Sequence, residues 1–279
     1  MTIRILMVTH NRPTYLRIAL QALCDSLSQD AKVVVWDNAS RDETRRVLAE
    51  FESHPRIEQI ANAARNEKLT APTNWFWKNF GDADFLGKVD DDCVVPVNWC
   101  DVLTAVHHDI PEAGALACWH FMREDFNEEE ARNKIAHFGR HSLLRNCWVC
   151  GSGYLMKQGM IRDLGLLKAH ETFTDYCLRG AVRGYIHGWY YPFLYQRHLD
   201  DPRLESTGIA SNAEFHVNRP LSAQTFEIHT VEEWVSRLRY SAQMLQSCSI
   251  NPYDYIGFVA RFKRRLFRLA RRQYFPRCR

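Results

Sequence analysis

Short apolar runs and amphipathic stretches alternate through the first half of the chain. "IRILMVTH" (3–10) is rich in β-forming residues and leads through Pro13 into a stretch with Leu16, Leu20, Leu23 and Leu27 on one helical face. "KVVVWD" (32–37) predicts a second strand, and Ser40 with Glu43 spells a capping box for a helix carrying Val47, Leu48 and Phe51. "RIEQI" (56–60) predicts a third strand, residues 71–80 a helix and "DFLGKV" (84–89) a fourth strand. Strands and helices alternating at this spacing predict an α/β fold, a Rossmann-like, mainly parallel sheet flanked by helices. In such sheets ligands bind beyond the carboxyl ends of the strands. Three of those ends read "THN", "WDNAS" and "DDD", and all would lie along one rim.

The second half is less regular. "NCWVCGSGYLMK" (146–157) reads as a strand with a glycine-rich kink, "ETFTDYCLRGAVRGY" (171–185) as a helix, and 185–191 as a strand ending before Pro192. Residues 200–225 are rich in turn formers, and helices are expected at 230–246 and about 254–273. In the last of these, at about 100° per residue, Phe258, Val259, Phe262, Leu266 and Leu269 fall on one face, with Arg261, Arg264, Arg265, Arg268, Arg271 and Arg272 opposite and Lys263 and Phe267 as exceptions. Two readings stand: a helix lying on an anionic membrane surface, or one packed on the protein with a solvated basic face. The aromatics lie away from the arginines, which speaks against nucleic acid as a partner.

Composition narrows the class. The chain has 279 residues, 46% hydrophobic and 25% charged, with a formal net charge of only +3, ordinary for a globular α/β protein of this size. The first residues lack the apolar run and small-residue cleavage site of a signal peptide, and no stretch approaches the roughly 18 apolar residues of a membrane span. The nine cysteines are an odd, scattered set, so a reducing cytoplasmic setting is expected. The lone CxxC at Cys147 and Cys150 has no second pair at zinc-site spacing and reads as structural thiols.

Candidate chemistry begins at "GKVDDD" (87–92). Three adjacent carboxylates repel one another, and their place after a buried strand suits a divalent cation bridging to a diphosphate. A solvated acidic turn is the plainer alternative.

"ILMVTHNRPTYLRIALQAL", "VVVWDNASRDET" and "FLGKVDDDCVVPVNW" together resemble the family 2 glycosyltransferases of GT-A fold, over about residues 3–195. The resemblance implies a catalytic domain at 1–205, with a nucleotide-binding half (1–95) and an acceptor half (96–205), followed by a helical C-terminal extension (206–279). It implies a Mn2+- or Mg2+-dependent transfer of a sugar from a UDP or GDP donor to a hydroxyl acceptor. Thr9, Asn11 and Arg12 would lie under the nucleotide, although Arg12 also reads as a solvated surface charge. Asp37 would accept from the base, or merely cap its turn. Asp90 would approach the ribose and Asp92 would hold the metal, with Asp91 between them. In "ARNEKLTAPTNW" the family's Asn–x–Gly is missing, which leaves Arg65, Asn66 or Lys68 as nucleotide contacts. Downstream, Gly151, Gly153, Asp175, Arg179 and Gly184 match a further family feature, with Thr174 where an acid is usual. Asp175 would be the base of an inverting transfer, oriented by Arg179, or else a charge favoured by the helix dipole. His198 in "YQRHLDDPR" is a candidate further metal ligand, or a structural histidine. A glycan or lipid-linked acceptor, reached from the inner membrane face, would suit the basic tail. A sugar-nucleotide-forming nucleotidyltransferase is a rival, but it wants a glycine-rich phosphate loop that "THNRPTYL" lacks. A glycan- or membrane-binding protein that lost activity is another.

Overall fold

The computed structural model describes residues 1–41, 43–205, 207–257 and 260. In chain order the elements begin β1 (Ile3–Thr9), α1 (Pro13–Ser26), β2 (Ala31–Asp37), α2 (Glu43–Phe51), β3 (Ile57–Asn62), α3 (Thr70–Asn79) and β4 (Phe85–Lys88). A two-residue strand β5 (Cys93–Val94), α4 (Trp99–Asp109), β6 (Ala113–Ala117), the short helix α5 (Glu128–Ala131), β7 (Ile135–Phe138) and β8 (His141–Asn146) follow. Then come β9 (Tyr154–Lys157), α6 (Gln158–Leu164), α7 (Phe173–Val182), β10 (Ile186–Tyr191), β11 (Arg197–His198), α8 (Asn212–Val217), α9 (Leu221–Thr225) and α10 (Val231–Ser247).

Nine strands form one sheet in the order β3-β2-β1-β4-β9-β6-β10-β8-β7, and β5 pairs with β11 in a separate ribbon. Only β8 and β9 run against the rest, as their antiparallel pairings to β10, β7, β4 and β6 require. The sheet is therefore mainly parallel, and β1 and β2 are nearly all buried, as strands covered on both faces must be. Alternation along β1 shows the two layers. Ile3, Ile5 and Met7 pack with Leu16, Leu20 and Leu23 of α1 and with Trp99 and Leu103 of α4. Leu6 and Val8 belong to the opposite layer with Phe76 and Trp77 of α3 and Tyr176 of α7. That layer also takes in Phe215, Trp234, Leu238 and Leu245, so the described part of the C-terminal extension shares a core with the sheet.

Two local expectations need correction. Residues 146–157 are not one strand: β8 ends at Asn146, the chain bends through Gly151 and Gly153, and β9 enters the sheet elsewhere, between β4 and β6 and antiparallel to both. Gly153 has φ +63, which suits glycine, and a Cβ there would meet the Gln196 amide. Ser40 does not cap α2; its hydroxyl accepts the Asn11 N–H at 3.0 Å. The helix expected at about 254–273 lies outside the described residues except for 254–257 and Ala260. Among the described residues no helix is long and apolar enough to cross a membrane, and the eight described cysteines, Cys147 and Cys150 among them, are free.

Gly87 in β4 lies where three strands are closest. An added Cβ would fall 2.5 Å from the Tyr154 carbonyl oxygen of β9 and 2.7 Å from Ile5 Cδ1 of β1. Gly87→Ala is expected to lower the unfolding free energy by about 1–3 kcal/mol through overpacking. A denaturant midpoint equal to wild type would show that the strands yield freely at this point.

Candidate active site

The parallel register brings the strand ends together. Thr9 of β1 pairs with Asp37 of β2, and Asp37 with Asn62 of β3. From this rim two loops are sewn to each other. The Asn11 side chain accepts the Arg41 N–H at 2.9 Å, its own backbone adopts φ +53, and Ser40 N–H donates to Asp37 Oδ1 at 2.8 Å. Asn38 does the same for the third loop: its Nδ2 donates to Asn66 Oδ1 and to the Lys68 carbonyl, and its Oδ1 accepts the Glu67 N–H. Asn66 and Lys68 thus stand beside the rim as parts of a folded loop, while Arg65 is largely exposed and pairs with Glu67 at 3.7 Å.

Asp37 is fully buried. Its Oδ1 serves the turn, whereas Oδ2 is buried without a hydrogen bond among the described residues, with Arg45 3.8 Å away. A buried carboxylate oxygen left open at a loop rim is an acceptor waiting for a donor.

The three consecutive aspartates part company. Asp90 pairs with Lys88, itself buried at the end of β4, and gives its backbone N–H to Ser152 Oγ at 2.9 Å. Lys88 also donates to the Gly151 carbonyl at 2.9 Å, so the glycine bend is fastened to the aspartates. Asp91 is buried and accepts the Thr9 hydroxyl at 2.7 Å. Burial and the charge of Asp92 raise its pKa to about 7 against the opposing pull of Arg12.

Asp92 is the hub. Arg12 Nη1 donates to its Oδ2 at 2.8 Å while Nη2 of the same guanidinium binds Asp200, and the Arg12 head lies 4.5 Å from the Tyr15 ring centre. Arg12 is therefore no solvated surface charge: burial opposes its charge, but Asp92, Asp200 and Asp91 outweigh that and raise its pKa. His198 Nε2 lies 3.8 Å from Asp92 Oδ2, an ion-pair separation. Burial lowers the pKa of His198, yet Asp92, Asp200 and Asp201 carry it up to about 9. Burial works against ionised Asp92, but His198 and Arg12 hold its pKa well below the usual carboxylate range. Asp200 is buried and goes the other way, raised to about 6 by burial and Asp92. The Cys93 thiol donates to Asp92 Oδ1 at 3.2 Å. The oxygen of Asp92, the sulfur of Cys93 and the nitrogen of His198 lie within 4.8 Å of one another, a spacing that fits a metal ion.

Asp175 stands apart from this hub. It is the third residue of α7 and completes a capping box with Thr172, accepting both the Thr172 N–H and hydroxyl on Oδ2. Arg179 does not pair with it as expected; the guanidinium makes a bidentate contact to Glu171 at 2.8–2.9 Å and also donates to the Leu166 carbonyl. An acid just before the helix outcompetes one a turn away because it meets the fork of the guanidinium squarely.

Lys88, Cys93, Asp200, Asn38 and Ser152 were not singled out from the sequence. A lysine inside "FLGKV" and the aspartate that ends "RHLD" were visible signals. Cys93 and Ser152 carried none.

Comparison with known proteins agrees with this architecture. The family model described as Glycosyl transferase family 2 matches residues 4–165. A mannosyltransferase from Pyrobaculum calidifontis, solved in complex with GDP-Man and Mn2+, superposes with a TM-score of 0.59 at 15% identity, over 98% of this chain and 81% of that one. Residues 1–349 of TarS from S. aureus superpose at 0.53 with 13% identity, over 95% and 92% of the two chains. GalNAc-T7 with UDP, GalNAc and Mn2+ gives 0.57 at 14%, over 71% of this chain and 43% of that one. At such identities the likeness is one of fold, the GT-A fold. No curated protein matches by sequence.

The charge pattern has a measurable pH signature. Asp91 (about 7), Asp200 (about 6) and His198 (about 9) all hold protons more tightly when folded than in an unfolded chain, where carboxyls titrate near ~4 and histidine near ~6.5. The folded state then binds more protons, so stability falls as pH rises: between about 4 and 7 through the carboxyls, and between about 6.5 and 9 through His198. Asp92, depressed, acts oppositely, in a window below its ordinary value. Denaturant midpoints of EDTA-treated protein should therefore decline from about pH 7 to about pH 9, above the range in which the neutral His107, His120 and His187 act oppositely, and a flat or rising profile there contradicts the assignment. Arg12→Ala in the same protein strands buried Asp200 and half-buried Asp92 and should cost about 3–5 kcal/mol. A loss under 1 kcal/mol, read by the same denaturation, would show that Arg12 merely rests on the surface.

Proposed function

The chain belongs to glycosyl transferase family 2, and from that premise we propose that it moves a sugar from a nucleoside diphosphate donor to a hydroxyl acceptor, with a divalent cation held at Asp92 and His198. The observation that carries this reading is the convergence of the ends of β1, β2 and β4 on one rim, with metal-compatible donor atoms at its centre. The neighbours solved with GDP-Man and Mn2+, and with UDP-GlcNAc, support the donor class.

In this reading the open Oδ2 of Asp37 accepts an N–H of the donor base, at a buried site where an unmade hydrogen bond costs about 1–3 kcal/mol. The loops of Asn11 and of Asn66 and Lys68 bracket the nucleoside, with Thr9 and Asp91 beneath it and Asp90 toward the ribose. Asp92 and His198 would hold the cation, which when bound would supply positive charge to the departing diphosphate. Arg12, already shared between Asp92 and Asp200, keeps the remaining carboxylates compensated.

Asp175 is the base. Its cap contacts fall on Oδ2, so Oδ1 takes the acceptor's proton. The acceptor oxygen then bonds to the anomeric carbon as the bond to the diphosphate oxygen breaks, inverting that carbon. A capped helix start is a rigid platform for such a group. The acceptor is a glycan or a lipid-linked glycan, and the arginine-rich 261–272 sequence suits an anionic membrane surface.

Two variants separate donor binding from transfer. Asp92→Asn should abolish Mn2+-dependent binding of UDP and GDP in calorimetry while leaving the thermal unfolding of metal-free protein cooperative; undiminished binding would remove Asp92 from the metal site. Asp175→Asn should retain that binding and lose transfer by about 10²–10⁴-fold, the contribution of a placed base. Equal transfer by wild type and variant would take Asp175 out of the mechanism.

A further inference from the structure

The ligand set around Asp92 is chemically unusual for a cation that only bridges phosphates. Cys93 and His198 are directly opposed in the antiparallel pairing of β5 with β11, so both side chains rise from the same face of the ribbon. Two backbone bonds lock that register beside Asp92: Leu199 N–H to the Asp92 carbonyl at 2.8 Å, and Cys93 N–H to the Asp90 carbonyl at 3.1 Å. Asp92 presents its two oxygens to different neighbours. Oδ2 faces Arg12 and His198, and Oδ1 faces the Cys93 sulfur. The resulting donors are one hard oxygen, one borderline nitrogen and one soft sulfur, mutually within 4.8 Å.

Hard cations such as Mg2+ take oxygen and gain little from imidazole or thiolate, whereas Zn2+ and Co2+ gain from both. We propose that Cys93 is a third protein ligand of the cation and that the site selects a borderline transition ion, of the Zn2+ or Co2+ class, over Mg2+. The proposal rests on the reading of Asp92 and His198 as ligands and adds to it the sulfur and the selectivity. The bonds that form run from the Cys93 sulfur and from the His198 imidazole nitrogen to the metal, the bonds that break are S–H and N–H, and both protons leave to the buffer. The carboxylate is already in place next to the sulfur and the imidazole opposite it on a two-stranded ribbon, so ligation asks for side-chain movement and not for refolding of the rim.

The test is optical and does not depend on turnover. Metal-free protein is titrated with Co2+, and the near-ultraviolet thiolate-to-cobalt charge-transfer band is followed, alongside calorimetric affinities for Co2+, Zn2+ and Mg2+. Wild type should develop the band. Cys93→Ser should lose it and bind Co2+ and Zn2+ at least about tenfold more weakly, since even outer-shell losses cost 10–100-fold. Its Mg2+ affinity should move by less than about twofold, because oxygen donors suffice for that ion. If Cys93→Ser does not fold, Asp92→Asn takes its place, because a band arising at any other cysteine would survive that change. Cobalt binding without the band, or a band unaltered in the variants, overturns the role of Cys93 and leaves the Asp92 and His198 reading standing. No binding of any of the three ions to wild type sinks both.

Discussion

One constraint shapes this protein: carboxylates from distant parts of the chain are buried side by side, and a single guanidinium must answer two of them. Asp92 follows β4 and Asp200 follows β11, yet both reach Arg12, which leads into α1. Stripping water from such charges costs several kcal/mol each, so the arrangement exists only with a cation in place. The position of Arg12 in turn fixes the turn at the end of β1, from which Asn11 reaches the loop after β2. The same solution recurs next door, where Arg203 clamps buried Asp201 and Asp125 with contacts of 2.6–2.9 Å. These clamps tie the C-terminal half to the rim, and the Trp234 indole N–H adds a bond to the Asp200 carbonyl at 2.8 Å.

The sheet supplies the other half of the geometry. Parallel β1, β2 and β4 discharge their ends at one edge, but an all-parallel sheet would place nothing across from them. Reversed β9 does so. It is preceded by the bend through Gly151 and Gly153, which reaches Lys88 and Asp90 through a carbonyl and a serine hydroxyl. Gly87 lets β4 and β9 come close enough for that contact, so a glycine inside a strand, weak on its own account, is what seats the acidic turn.

Much of this was legible in the sequence, unevenly. β1 and β2 announced themselves because both faces are covered and their residues are therefore mostly apolar and rich in β-branched types. β6, "AGALA", was missed for the opposite reason: its small residues carry no β signal, although it is fully buried in the sheet. β7 and β8 look polar because they end the sheet. The rim carboxylates were visible as a motif, but what neutralises them was not, since Arg12 and Asp200 are 188 residues apart. Arg179 was misassigned for a related reason. Helical spacing favours Asp175, whereas Glu171, just outside the helix, folds back to it. Thr172 and Asp175 do spell a capping box, a local signal that the reading of Asp175 as a base or a dipole-favoured charge passed over.

Why the residue at position 12 is an arginine follows from the same geometry. Its two terminal nitrogens serve different carboxylates, and its flat face lies over Tyr15. A lysine carries the same charge on a point-like head without a rigid fork or a face to stack. It would answer one carboxylate fully and leave the other, Asp92 or Asp200, buried with weaker compensation. Nor could charge alone hold the loop, since orientation comes from two bonds and a stacked ring acting on one plane. The pKa values express this division: Asp92, contacted by Arg12 and His198, is held low, while Asp200, with the shared guanidinium as its close partner, is raised to about 6. The rim is thus neutralised unequally by design of its contacts, and the carboxylate kept most firmly ionised is the one beside the imidazole and the thiol.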